Sequence, residues 1–139
     1  MALDIRVFEE RDIDALVEIL KLNHQYDYPE VEGPDAMRRV ARCACAVFLV
    51  AAIDQEPCGL IRAVYDGSRA LIHLLSVHPE RQHSGIGAAL VDAAWQELRR
   101  RGATGVSATV TERSLPFWNR AGFSRLPVLL ALRTAGQSA

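Results

Sequence analysis

Lysine is almost missing from this chain: Lys21 stands alone among sixteen basic residues, and every other one is arginine. That bias assigns no function by itself, but the balance of charge excludes several. Seventeen acidic residues leave a net charge of −1, so no overall basic field gathers nucleic acid or an anionic membrane, and any anion site must be local. Cysteine is scarce and odd in number. Cys43, Cys45 and Cys58 form no CxxC and have no histidine at metal-ligand spacing. Disulfide and metal readings are therefore both poor, and the three are expected as small buried side chains. Long apolar runs are also lacking: the longest, Cys43 to Ile53, falls short of the roughly 18 residues of a membrane-spanning helix. Met1 to Asp12 alternates apolar and charged residues, with neither the basic nor the apolar region of a secretory signal. A cytoplasmic protein with no membrane, nucleic-acid or metal partner is expected.

What is present suits one ordinary domain. Half of the 139 residues are hydrophobic and 24% are charged, enough for a real core. There is no internal repeat. A single domain over 1–133 is expected, followed by a disordered polar tail from Thr134 to Ala139.

Ile5 and Val7 alternate with charged neighbours and predict a first strand. Asp12 is placed to cap a helix whose Ile13, Leu16, Val17, Leu20 and His24 share one face. Gln25 to Pro34, with its prolines, glycine, acids and aromatics, reads as a long loop before a second helix from about Asp35 to Cys43. Val47 to Ile53 is a short apolar run of the buried-strand kind, and Asp54 to Pro57 is turn material. Gly59 to Tyr65 and Ala70 to Val77 follow as strands joined at Asp66-Gly67. Ile86, Leu90, Val91, Ala94 and Leu98 then recur at helical spacing, with Arg99 to Arg101 at the negative end of the dipole and Gly102 just past it. Val106 to Val110 predicts a strand, Leu115 to Arg120 a short helix ended by Gly122, and Val128 to Leu132 a last strand, with a weaker one near Phe123. The order β-α-α-β-β-β-α-β-α-β describes a mixed α/β chain with three antiparallel central strands.

A strand, a loop and Gln82-His83-Ser84-Gly85-Ile86-Gly87-Ala88 opening a long helix place free backbone N–H groups at a positive helix end, where a phosphate can sit. Glycines at 85 and 87 let a ligand approach the backbone, although turn geometry alone would also account for them. A dinucleotide-binding fingerprint is excluded, since Leu90 stands where its third glycine belongs and the loop from His78 to Ser84 is not a tight turn. A Walker A loop is excluded because Gly87 precedes Ala88 instead of lysine.

Leu75 to Gly87, read Leu-Ser-Val-His-Pro-Glu-Arg-Gln-His-Ser-Gly-Ile-Gly, resembles motif A of the GNAT N-acetyltransferase superfamily, whose core is Arg/Gln-x-x-Gly-x-Gly/Ala. Phe117-Trp118-Asn119-Arg120-Ala121-Gly122-Phe123 resembles its motif B. The element order extends the resemblance over nearly the whole chain. It implies a central, mostly antiparallel twisted sheet flanked by about four helices, acetyl-CoA (coenzyme A) as cofactor, and an amine acceptor.

By that resemblance the pyrophosphate of coenzyme A falls to the backbone of Gln82, His83, Ser84, Gly85, Ile86, Gly87 and Ala88. The pantetheine arm pairs with Leu75 and Val77 as an added strand, and the Val77 amide polarises the thioester carbonyl. Thr111, Phe117, Trp118 and Arg120 occupy further cofactor positions. Acetyl transfer by direct attack needs no covalent enzyme intermediate and no cysteine. The departures are specific. Trp118 replaces the tyrosine proposed to protonate the departing thiolate, and an indole N–H is no useful acid. No Asp or Glu lies between Leu71 and Pro79 to act as base; His73, on the face of Leu75 by simple alternation, resembles a histidine of the arylalkylamine branch and has an unperturbed pKa near 6.5. His73 also reads as a hydrogen-bonded sheet histidine, and His78 and His83 as solvated loop residues.

Acceptor specificity in the family comes from the segment after the first helix. Here that assigns His24, Tyr26, Asp27, Tyr28 and Glu30, and with Glu32 the acids and tyrosines suit a cationic amine on a small molecule or a protein. A solvated loop and a satisfied buried His24 are the plainer readings. The apolar Val128 to Leu132 edge suits cover by a second subunit, hence a homodimer. Two other functions stay open: a non-catalytic acyl-CoA-binding or regulatory domain, and a scaffold whose glycines serve only the turn.

Overall fold

The computed structural model describes residues 2–136, so residues 137–139 of the expected tail lie outside the described residues. The chain forms two compact units, Met1–Thr109 and Val110–Ala139.

In the first unit the apolar run becomes β2 (Ala46–Ile53), which pairs antiparallel with β1 (Leu3–Val7) on one side and β3 (Glu56–Tyr65) on the other. Asp54 and Gln55 both adopt positive φ, at 50° and 73°, the geometry a tight hairpin turn between right-twisted strands requires. β4 (Ala70–Val77) extends the antiparallel set, and β5 (Ser107–Ala108) closes the order β1-β2-β3-β4-β5 by pairing in parallel with β4. The result is a mixed α/β fold built on a five-stranded, mostly antiparallel sheet.

Helices cover the sheet on both faces, which is why β2 and β3 are apolar almost throughout. On one face α1 (Ile13–Leu22) and α3 (Pro34–Ala41) pack Leu16, Ile19, Leu20 and Met37 against Phe48, Val50, Leu60 and Leu74. On the other lies α4 (Ile86–Arg100), brought close by a missing side chain. A Cβ at Gly59 would stand 3.1 Å from both Leu90 Cδ1 and the Ser76 carbonyl oxygen.

The start of the first unit differs from expectation in its chemistry. Asp12 does precede α1 but gives that helix no side-chain cap. It is 1% exposed, takes both Arg6 guanidinium nitrogens at 2.8 Å and accepts the Glu9 N–H at 2.8 Å. Burial alone would raise this carboxyl; the Arg6 hydrogen bonds and the Glu9 N–H outweigh it and hold Asp12 below the ordinary value of 3.8.

Other expectations shift by local geometry. Pro34 sets the first helical φ, so α3 runs Pro34–Ala41 rather than from Asp35 to Cys43, and the preceding loop holds one further turn of helix, α2 (Pro29–Glu32). Cys43 and Cys45 are exposed in the turn that follows α3, and only Cys58 is buried. The strand expected over Val106 to Val110 contracts to Ser107–Ala108. In the second unit α5 (Leu115–Arg120) forms as predicted, but neither Val128 to Leu132 nor the stretch near Phe123 is a strand. Strand propensity yields a strand only where a neighbour offers ladder partners. The last segment has none among the described residues, and Leu129 is 98% exposed. The homodimer reading loses the sheet edge it rested on. No helix among the described residues is long and apolar enough to cross a membrane.

Asp12→Asn should destabilise the protein by about 2–3 kcal/mol, because it strands the Arg6 charge; urea unfolding at neutral pH measures this. Since folding lowers the Asp12 pKa, its contribution is full above pH 3.8 and disappears as pH falls through the lower folded value. The wild-type advantage over the variant should shrink accordingly in acid.

Candidate functional site

The site begins at an incomplete ladder. β5 pairs with β4 only at Leu71 and Ile72, extended by the Thr109 N–H on the Ile72 carbonyl at 2.9 Å. From Leu74 to Val77 no strand covers that edge among the described residues. On the inner side the His78 N–H donates to the Cys58 carbonyl at 2.8 Å, so strand alternation turns the N–H and C=O of Val77 outward.

Side-chain amides meet this edge. Asn23, just past the end of α1, donates from Nδ2 to Ser76 Oγ at 2.7 Å and to the Val77 carbonyl at 2.8 Å. Gln82 donates from Nε2 to the same carbonyl at 3.0 Å and to Asn23 Oδ1 at 3.2 Å. Gln25 donates to the Leu75 carbonyl at 3.2 Å, while its Oε1 is buried without a partner. Asn23 and Gln25 were missed in the sequence. Their partners lie 54 and 50 residues away, and no local pattern marks such a contact.

Beyond Val77 a short turn of 3₁₀ helix, Pro79–Arg81, leads to the exposed residues Gln82 to Gly85. His83 and Gly85 are left-handed, with φ of 62° and 88°. Such φ is cheap only for glycine, and a Cβ on Gly85 would meet nothing within 4 Å. The Ser84 hydroxyl donates to the Arg81 carbonyl. The first ring-closing bond of α4 runs from the Ala89 N–H to the Gly85 carbonyl at 3.0 Å. The N–H groups of Ile86, Gly87 and Ala88 therefore sit at the positive end of a fifteen-residue helix with no acid in its first turn. Such a terminus favours negative charge. His78 is half-buried and caps the 3₁₀ turn, its Nδ1 accepting the Glu80 N–H at 3.1 Å.

His73 departs from its expected setting. The β3–β4 register pairs Ala63 with Ile72 and Arg62 with Leu74, which leaves His73 as a bulge. Alternation cannot be counted across it, so the placement of His73 on the face of Leu75 does not follow. Burial, and then the nearby Arg62 charge, push its pKa down to about 4. His73 is neutral at physiological pH and a weak base. Arg62 is 4% exposed, lies 5.7 Å from the Phe48 ring centroid, and reaches Glu32 on α2 at 3.2 Å. Its Nε has no partner, and burial lowers its pKa despite Glu32.

The acceptor segment divides. Glu32 is engaged by Arg62 and offers no free carboxylate. Tyr26 packs against the α1 core, with the Lys21 ammonium 5.4 Å from its ring centroid. Asp27, Tyr28 and Glu30 are exposed. His24 is exposed and left-handed beyond the end of α1, φ 58°, and is not on the helix face predicted for it.

The remaining predicted residues belong to the second unit. Trp118 is 4% exposed and edge-on to Phe117 and Phe123 at 5.2 and 5.1 Å. The Thr111 hydroxyl accepts the Ser114 N–H at 3.1 Å ahead of α5, and Arg120 is exposed.

Over residues 13–123 the sequence matches the Acetyltransferase (GNAT) family. The chain belongs to that family. Solved structures share the GNAT fold. A transcriptional regulator from Bacillus halodurans C-125 superposes with a TM-score of 0.82 at 23% identity, over 96% of this chain and 100% of that one. PaiA N-acetyltransferase from Thermoplasma acidophilum, in complex with coenzyme A, gives 0.81 at 19% identity over 89% and 91%. Aminoglycoside antibiotic 6′-N-acetyltransferase from Acinetobacter baumannii gives 0.78 at 20% over 96% and 98%. Likeness at this identity establishes the fold.

An NMR titration of the His73 imidazole should show a midpoint near 4. Because folding lowers this pKa, the neutral ring favours the folded state above 6.5, and that advantage is lost as pH falls through about 4. A midpoint near 6.5 would mean that His73 is solvated.

Proposed function

We propose that this GNAT chain is a cytoplasmic acetyl-CoA-dependent N-acetyltransferase, a single functional domain over 1–133, acting on a primary amine of a small molecule or protein. The observation that carries the reading is the junction of an open β4 edge with an exposed, glycine-bearing helix N-terminus. The turn tests well against the group it would hold. It is exposed, a Cβ at Gly85 meets empty space, and no acid stands in the first turn of α4. GNAT proteins generally use acetyl-CoA, and the Thermoplasma relative was solved with coenzyme A.

When bound, acetyl-CoA supplies an activated acetyl thioester open to direct attack by a neutral amine. The chain's own groups do the rest. The backbone from Gln82 to Ala88 neutralises a pyrophosphate with N–H dipoles. The Val77 N–H, facing the open edge, is a fixed donor for an oxygen that gains negative charge, worth most where water is excluded. Leu75 contributes the next outward backbone groups along the strand. Asp27 and Glu30, exposed on the acceptor segment, attract a cationic amine. His73 is the one imidazole on β4, and a base of pKa about 4 assists only weakly. Trp118 supplies no acid, so protonation of a leaving thiolate would fall to solvent.

A second reading, a non-catalytic acyl-CoA-binding domain, draws on the same two facts: the weak base at His73 and the indole at Trp118.

Calorimetric titration with acetyl-CoA, against NAD as a control dinucleotide, tests the cofactor. Micromolar binding of acetyl-CoA alone is expected, and no binding would reject both readings. Release of coenzyme A with an amine panel then separates enzyme from binding domain. Charge reversal at Asp27 and Glu30 should raise KM for cationic amines about tenfold, and an unchanged KM would remove these residues from the acceptor site.

A further inference from the structure

The Val77 carbonyl carries two donors, Asn23 Nδ2 at 2.8 Å and Gln82 Nε2 at 3.0 Å. A carbonyl oxygen has two lone pairs, so this acceptor is saturated by the protein. An incoming chain laid along the open edge therefore finds one usable ladder group at Val77, its N–H. The edge is directional there: it selects a ligand acceptor, such as a carbonyl, and refuses a donor.

Asn23 holds this arrangement together. Its amide donates to Ser76 Oγ and to the Val77 carbonyl, and its own oxygen accepts Gln82 Nε2 at 3.2 Å. Ser76 is buried, so the anchor is rigid, whereas Gln82 is exposed and opens the glycine-bearing turn. The next residues of the chain, from His24 onward, begin the acceptor segment. One side chain thus meets three parts of the site: the end of β4, the turn before α4, and the root of the acceptor segment.

We infer that Asn23 is a positioning residue that ties the end of β4 to the glycine turn through Gln82 and leaves Val77 as a one-way donor. For acetyl-CoA as the ligand this rests on the function proposed above, but the tie itself is a property of the free protein.

The test uses Asn23→Ala, Gln82→Ala and the double variant of the full chain. Gln82 is exposed, so its variant folds even if removing the partner of buried Ser76 proves costly. Amide hydrogen exchange at Ala89, whose N–H closes the turn onto the Gly85 carbonyl, should quicken about tenfold in each single variant, with the amides of β2 and β3 unchanged. Gln82→Ala removes the bonds to both Asn23 and the Val77 carbonyl, so the double variant should exchange no faster than Gln82→Ala alone. Acetyl-CoA, followed by calorimetry, should bind each variant about tenfold more weakly. Unchanged exchange at Ala89, a uniform rise across the sheet, or additive effects in the double variant would each overturn the tie. Wild-type protein that binds no acetyl-CoA would overturn the proposed function, and the exchange data would still decide the tie.

Discussion

The structure depends on a sheet whose last ladder is unfinished. Four antiparallel strands satisfy one another, but the parallel partner of β4 pairs at only Leu71 and Ile72. Backbone groups between Leu74 and Val77 must then be met by something else, since an unpaired polar edge is both costly when buried and an invitation to another chain. Side-chain amides from Asn23, Gln25 and Gln82 take that place. They satisfy carbonyls, not N–H groups, and so leave the edge polarised. The long helix that follows begins soon after this edge with its own unmet N–H groups.

Charge inside the first unit is handled by pairing with different outcomes. Arg6 and Asp12 form a two-pronged bridge in which hydrogen bonding outweighs burial. Arg62 and Glu32 meet through one contact, and there burial outweighs attraction on both partners, lowering the Arg62 pKa and raising that of Glu32. The second pair therefore serves location more than stability: it holds α2 against β3. Burial first, and then this same cation, hold the His73 pKa down to about 4.

Much of this was legible in the sequence because it is periodic. The 3.6-residue spacing of Ile86, Leu90, Val91, Ala94 and Leu98 and the turn pairs between the central strands marked the helix and the sheet, and the glycines marked the turn before α4. What was illegible is what depends on distant neighbours. Val128 to Leu132 has the composition of a strand but lacks a partner among the described residues. The bulge at His73 is invisible until β3 is laid beside it. His24 looked like a helix residue because it continues the apolar spacing, yet the helix ends at Leu22 and the chain turns left-handed there. Asn23 and Gln25 matter through carbonyls more than a third of the chain away, and nothing adjacent announces them.

The nearly lysine-free composition acquires a chemical meaning beside the fold. A guanidinium stays protonated and its nitrogens share their electrons with the central carbon, so arginine is a poor nucleophile toward an acyl donor. Among the described residues the ion pairs are built from arginine. The one lysine side chain has its ammonium over the ring of Tyr26, 5.4 Å from the centroid. The cationic groups that hold this molecule together are thus nearly inert to acylation.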